Sequence, residues 1–205
     1  MELVSVVIPA YNSAAFIRET LDSVFAQTRR PDEIIVVDDA STDDSPEIIK
    51  ALAAEAPAPL CLIELPRNTG GPATPMNAGI EAARGDLIAL LDHDDLMLPE
   101  KLAAQGAVLD SHPNLEFVLG DYGLLVENHR PPRTGVFPWE SSTRGGGKVG
   151  IPGLHILGPA VSRRVLMKGN ALGFSCSNYF FRKSLWHRLH GFSCEAENST
   201  RWPCT

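Results

Sequence analysis

Five aliphatic residues, Leu87-Ile88-Ala89-Leu90-Leu91, run without a break into Asp92-His93-Asp94-Asp95. An apolar run of this kind reads as a strand covered on both faces, which demands a sheet with helices packed above and below it. Open sheets of that type hold their ligands at the carboxyl ends of the strands, and here that end is acidic. If the chain stays extended past Leu91, Asp92 and Asp94 project to the same side, because side chains alternate along a strand. Two carboxylates aimed at one point repel unless a cation lies between them. Hard oxygen ligands favour Mg²⁺ or Mn²⁺, which in turn favour diphosphate oxygens. The competing reading is a solvated acidic turn that caps a helix starting near Pro99.

Similar apolar runs recur through the first half and alternate with helical patterns, the signature of βαβ units in an α/β fold. Residues 4–8 form a first strand that Pro9 ends. Asn12 or Ser13 caps a helix with the apolar stripe Phe16, Ile17, Leu21, Val24 and Phe25. Residues 33–37 form a second strand ending in Asp38-Asp39, and Ser45 caps a helix reaching residue 54. A third strand covers 60–65 and buries Cys61, and a helix over 74–83 follows Gly70-Gly71-Pro72. Pro99 opens a further helix through 109, a first-turn position that suits proline. Beyond residue 120 the pattern loosens. The stretch 128–153 is rich in Arg, Pro, Gly and Ser and reads as a substrate lid or a plain mobile insertion. A helix over 161–167, a strand over 177–181 and a helix over 183–189 restore order.

Composition narrows the partners. The net charge of −7 and pI near 5.3 come without any basic stripe, which argues against nucleic acid. The four cysteines show neither a C-x-x-C pair nor a histidine at zinc-finger spacing, so reduced thiols are expected. Glu2 stands where a secretory leader carries basic residues, and Pro9 breaks the first apolar run. No stretch approaches the roughly 18–20 apolar residues that cross a bilayer. A cytoplasmic protein is expected, with contact at the inner membrane surface left open.

Three strand ends carry the chemistry: Pro9-Ala10-Tyr11-Asn12, Asp38-Asp39-Ala40-Ser41 and Asp92-His93-Asp94-Asp95. Parallel strands gather these loops at one sheet edge. There the Tyr11 ring can pack on a nucleobase and Asp39 can accept from its imide N–H, while Asp38 turns to the ribose or the backbone. The bland alternatives are helix caps at Asp38 and Asp39 and a Tyr11 that merely covers the sheet edge.

Ser5-Val6-Val7-Ile8-Pro9-Ala10-Tyr11-Asn12, Asp32 to Asp43, Asn68-Thr69-Gly70-Gly71 with Met76-Asn77-Ala78-Gly79-Ile80, and Ala83-Arg84-Gly85-Asp86 leading into the acidic strand end stand in order. Together they resemble the family 2 glycosyltransferases with the GT-A fold, densely over residues 4–110 and more thinly over 115–192. The resemblance implies a Rossmann-like three-layer α/β/α arrangement with a mostly parallel central sheet. It implies an inverting transferase of cell-envelope polysaccharide synthesis, moving sugar from a nucleoside-diphosphate sugar to a glycan, lipid-carrier or other hydroxyl acceptor. On that likeness residues 1–120 form the nucleotide-sugar half, 121–192 the acceptor-side half, and 193–205 an irregular tail. Pro9, Tyr11 and Asp39 would surround the base, Asn77 would shape the pocket beside the sugar, and Asp92 would reach ribose or metal-bound water. Asp94 would be the principal ligand of Mg²⁺ or Mn²⁺, which neutralises charge on the departing diphosphate.

The chain departs from the family pattern in three places. Met76 stands where many relatives carry a basic residue, so a diphosphate contact is expected to come from elsewhere. Ala40 replaces a frequent glycine, which implies a turn without positive φ. The acidic pair expected after Gly191-Phe192 to supply a general base is missing, leaving Glu195 and Glu197 as the acids in reach. Asp94 and Glu195 are therefore the catalytic candidates, with exposed tail charge as the alternative for Glu195. A donor-binding module without turnover is the rival function. His93 is expected to point away from Asp92 and Asp94 and to steady the loop. Arg182, Lys183 and Trp186 are read as a helix surface rather than acceptor contacts. A sugar nucleotidyltransferase is disfavoured because no glycine-rich basic loop follows the first strand, and a phospho-receiver because its acidic pair is misplaced.

Overall fold

The computed structural model describes residues 2–120 and 176–192. Within them the apolar runs become β1 (Val4–Ala10), β2 (Glu33–Asp38), β3 (Leu60–Glu64), β4 (Leu87–Leu90), β5 (Phe117–Leu119) and β6 (Tyr179–Arg182). The helices between and after them are α1 (Ile17–Phe25), α2 (Ser45–Leu52), α3 (Ala73–Ala82), α4 (Lys101–Ser111) and α5 (Lys183–Arg188), with a 3-10 turn at Cys176–Asn178. The strands make one sheet in the order β3-β2-β1-β4-β6-β5. β1 pairs in parallel with β2 and β4, and β2 with β3, whereas β6 runs against both β4 and β5. This is the expected mostly parallel α/β sheet with one antiparallel strand let into it.

Alternation along the strands sorts the core into two layers. Val4, Val6, Ile8, Ile34, Val36, Leu87 and Ala89 face Ile17, Leu21 and Val24 of α1, Ile49 and Leu52 of α2, and Leu102 and Leu109 of α4. Val7, Ile35, Val37, Ile88 and Leu90 face Met76 and Ile80 of α3 and Leu185 of α5. Helices on both faces explain why β1, β2 and β4 read as unbroken apolar runs rather than alternating ones. Gly79 sets the closeness of α3: a Cβ there would stand 2.5 Å from Val7 Cγ1 and 3.0 Å from Val37 Cγ2.

Several expectations are corrected. Pro9 does not end β1, which continues to Ala10 in register with Val37 and Asp38 of β2. Its ladder with β4 stops at Val7–Leu90, so the nitrogen that lacks a proton costs no sheet bond. Phe16 lies outside the buried stripe at 53% exposure. Neither Asn12 nor Ser13 caps α1 with its side chain; the Ser13 carbonyl accepts the N–H groups of Phe16 and Ile17 at 2.9 Å. Ser45 is the first residue of α2 and is itself held by Asp43, whose Oδ1 accepts from its N–H at 3.1 Å. Cys61 is exposed, because β3 is an edge strand. The strand expected over 177–181 starts only at Tyr179, after the 3-10 turn. β5 escaped the sequence reading: three residues are too short to show a period, and their neighbour β6 lies some 60 positions on. The loop at 128–153, the helix over 161–167 and the tail at 193–205 lie outside the described residues.

Candidate active site

β1, β2 and β4 end on the same edge of the sheet, and the turns that leave them are tied to one another. The Asp39 N–H donates to the Ala10 carbonyl at 2.8 Å, carrying the β2 turn onto the end of β1. Asp38 folds back on that turn, accepting from the Ser41 N–H at 2.9 Å and from its hydroxyl. Ala40 consequently sits at φ 60°, contrary to the expectation of a turn without positive φ. Asn12, at φ 48°, accepts from the Thr42 N–H at 2.8 Å, and the Ser13 N–H donates to Ser45 Oγ at 2.7 Å. The β1 and β2 turns therefore brace each other.

Asp39 is 3% exposed. Its carboxylate accepts from the Thr69 N–H at 3.0 Å to each oxygen and from Thr69 Oγ1 at 3.0 Å, which draws in the segment leading to α3. In that segment Gly70 adopts φ 80°, the left-handed region that glycine enters without penalty.

The chain after β4 does not stay extended. The Asp95 N–H donates back to the Asp92 carbonyl at 3.2 Å, closing a turn. Asp92, His93 and Asp94 are brought to one place by this reversal and not by strand alternation. His93 Nδ1 lies 3.3 Å from the Pro9 carbonyl, and Thr20 Oγ1 donates to the His93 carbonyl at 2.8 Å. The loop-steadying role expected of His93 is present, but the ring borders the same cavity as the two aspartates.

Behind the turn, Ser177 Oγ accepts from the Asp92 N–H at 2.8 Å and donates to Asp95 Oδ2 at 2.6 Å. The Cys176 thiol donates to Asp92 Oδ1 at 2.7 Å, and Lys101 Nζ donates to the Ser177 carbonyl. Burial and the Asp92 carboxylate push the Cys176 thiol well above its usual pKa, so it stays protonated as a donor. Burial lowers Lys101 to about 8, against the pull of the surrounding acidic groups.

These turns enclose a cavity of about 360 Å³. Pro9, Tyr11, Asp39, Asp92, His93 and Asp94 border it on the strand ends, together with Gly70, Gly71 and Pro72 from the approach to α3. Tyr11 is 42% exposed, leaving a ring face for a planar ligand. Four of the five residues expected to bind nucleotide thus meet here, with Asp94. Asn77 is not among the bordering residues. Its Oδ1 accepts from Trp186 Nε1 at 3.2 Å and from the Phe192 N–H at 2.9 Å, and its Nδ2 donates to the Phe192 carbonyl at 2.7 Å. It braces α3 against the Gly191-Phe192 segment. Met76 is buried in the core under α3 and does not reach the cavity. Glu195 lies outside the described residues.

The basic residues near α5 are consumed by structure. Arg182 donates to the Leu115 and Leu109 carbonyls at 3.0 and 3.1 Å and pairs with Glu2, and Lys183 Nζ donates to the Ala83 carbonyl at 2.6 Å. The sequence reading placed Ser177 in a strand and Cys176 among the reduced thiols, and missed that both brace the acidic turn. Their contacts span more than 80 positions, and no local pattern announces them.

Among the described residues no three His, Cys, Asp or Glu side chains form a ready metal cage. Magnesium-type ions do not need one, since they keep several waters and take one or two carboxylates plus phosphate oxygens. Asp92 and Asp94 on one cavity wall fit that donor set. Among the described residues no helix is long and apolar enough to cross a membrane.

Comparison with known proteins adds independent findings. The family description "Glycosyl transferase family 2" matches residues 5–187. A stretch of 100 residues is 41% identical to an uncharacterized glycosyltransferase of Nostoc sp., covering 48% of this chain and 30% of that protein. A match over 100 residues to the succinoglycan biosynthesis protein ExoO of Rhizobium meliloti is 47% identical, covering 48% of this chain and 27% of that one. Among solved structures, S. aureus TarS 1-349 in complex with UDP superposes with a TM-score of 0.67 at 25% identity, over 97% of this chain and 52% of that one. The mannosyltransferase PcManGT of Pyrobaculum calidifontis shares the fold, with a TM-score of 0.63 at 23% identity, over 97% of this chain and 50% of that one. The chain spans about a third or less of the length of these two curated relatives.

Proposed function

Because the chain belongs to glycosyl transferase family 2, we propose that it binds a nucleoside-diphosphate sugar at the carboxyl edge of β1, β2 and β4 and transfers the sugar, with inversion, to a hydroxyl acceptor. The observation that carries this reading is the shared cavity, where an exposed aromatic ring, a buried carboxylate and two aspartates on a turn border one space. The UDP complex of the similar TarS structure supports a nucleotide ligand. The ExoO likeness supports a glycan acceptor in polysaccharide synthesis.

In this reading Tyr11 stacks on the nucleobase and Pro9 packs beside it. Asp39, held rigid by Thr69, accepts from the base imide N–H. Asp92 and Asp94 would hold a Mg²⁺ or Mn²⁺ ion, with Asp94 the principal ligand. That ion, when bound, supplies a Lewis acid for the charge that develops on the diphosphate as the glycosidic bond breaks, an effect of several kcal/mol. Residues 1–120 supply every one of these groups.

Calorimetric titration with UDP, GDP and dTDP, each with and without Mn²⁺, tests the reading. At least one nucleotide is expected to bind in a metal-dependent manner. Asp94→Ala is expected to weaken that binding by at least about 100-fold, at or beyond the upper end of losses seen for outer-shell partners. Folded protein that binds none of the three with metal overturns the proposal. Tight binding without any metal-dependent hydrolysis or transfer would instead identify a silent donor-binding module.

A further inference from the structure

A turn carrying three carboxylates in four residues is under self-repulsion, and its backbone is closed by a hydrogen bond of 3.2 Å from Asp95 to Asp92. Its bracing comes from the 3-10 turn at Cys176–Asn178 that leads into β6. The Ser177 hydroxyl accepts from the Asp92 N–H and donates to Asp95 Oδ2, so that one oxygen spans both ends of the turn. The preceding residue, Cys176, donates its thiol proton to Asp92 Oδ1 and so sets the rotation of that carboxylate. Lys101 in turn anchors the Ser177 carbonyl from α4. Cys176 and Ser177 are both buried, so these bonds are shielded from bulk water on the side of the 3-10 turn.

Resting on the reading above, we propose that Cys176 and Ser177 are positioning residues for the metal–diphosphate site: they hold the acidic turn in the shape that lets Asp92 and Asp94 serve one cation. The reason is preorganisation. Carboxylates fixed before the ion arrives lose little freedom on binding it, whereas an unbraced acidic turn splays and must be re-ordered by the ion itself. Neither residue borders the cavity, which separates holding the ligands from being one.

The test is a calorimetric titration of the 205-residue protein with UDP and with GDP, each with and without Mn²⁺, alongside thermal denaturation of every variant. Ser177→Ala and Cys176→Ala are expected to weaken Mn²⁺-dependent affinity about 10–100-fold, the usual effect of losing an outer-shell partner, with metal-free affinity unchanged. Cys176→Ser keeps a donor to Asp92 and is expected to restore most of the metal dependence. A purely structural role would lower the melting temperature while leaving the ratio of affinities with and without Mn²⁺ as in the wild type; that result overturns the inference and leaves the proposed function standing. Folded wild-type protein that binds neither nucleotide overturns both. If Ser177→Ala does not fold, the comparison of Cys176→Ala with Cys176→Ser decides alone.

Discussion

Ala40 and Asp39 show how far a single residue's setting is decided by its partners. Asp39 is anchored backward to Ala10 and its carboxylate is taken by Thr69, while Asp38 pulls in Ser41, so the residue between them is left in the left-handed region. That conformation costs an L-residue about 1–2 kcal/mol. Glycine avoids this cost but loses more backbone freedom on folding. Ala40→Gly is therefore expected to stabilise the protein by about 0.5–1 kcal/mol, raising the melting temperature by about 2 °C in a domain of this size. A thermal denaturation series checks it, and a lower melting temperature would show that the turn is not strained. Identity alone suggested the opposite conformation at Ala40, because the hydrogen bonds that impose positive φ come from neighbours on three different segments. The aspartates of the cavity were legible one by one. That Asn77 faces Phe192 and not the cavity was not, since an amide on a helix face has no preferred partner until the chain folds back upon it.

At the scale of elements, the edge of the sheet away from the cavity is knotted by Glu33 at the start of β2. Its carboxylate accepts from Ser5 Oγ and the Arg84 N–H at 2.6 Å, from Arg84 Nε at 3.0 Å and from the Gly85 N–H at 3.3 Å. Gly85 leaves room for this, because a Cβ there would stand 2.4 Å from Ser5 Oγ. Burial raises the Glu33 pKa, but the donors from Ser5 and Arg84 outweigh it and hold the group below the ordinary carboxylate value. A depressed carboxylate contributes stability that is complete above its unfolded pKa and is lost as pH falls through the native one. Glu33→Gln is expected to cost about 1–3 kcal/mol at neutral pH, through donors left without a charged acceptor. The Arg84 side chain is largely exposed, so its ion pair contributes little of this. The variant should also lose less stability than the wild type between neutrality and the acid range. Urea unfolding at a series of pH values reads both effects, and parallel pH profiles for the two proteins would refute the assignment.

For the whole molecule, the decisive feature is that β6, from the far part of the chain, lies between β4 and β5, which belong to the first 120 residues. A chain ended after residue 175 would strip β4 of its antiparallel neighbour and β5 of the strand it pairs with among the described residues. It would also remove Cys176 and Ser177 from behind the acidic turn. Such a truncation is expected to show no single cooperative thermal transition by circular dichroism, and a sharp transition near that of the 205-residue protein would contradict it. The sequence by itself determined the parallel βαβ core, its two apolar faces and the acidic strand end, because apolar period and adjacent turn residues are local and survive without the fold. Only the tertiary structure decided how the acidic turn reverses, what braces it, which residues border the cavity and where β6 inserts. Those are contacts across about 30 to 115 positions, and they exist only once distant segments are held together by the burial of one shared core.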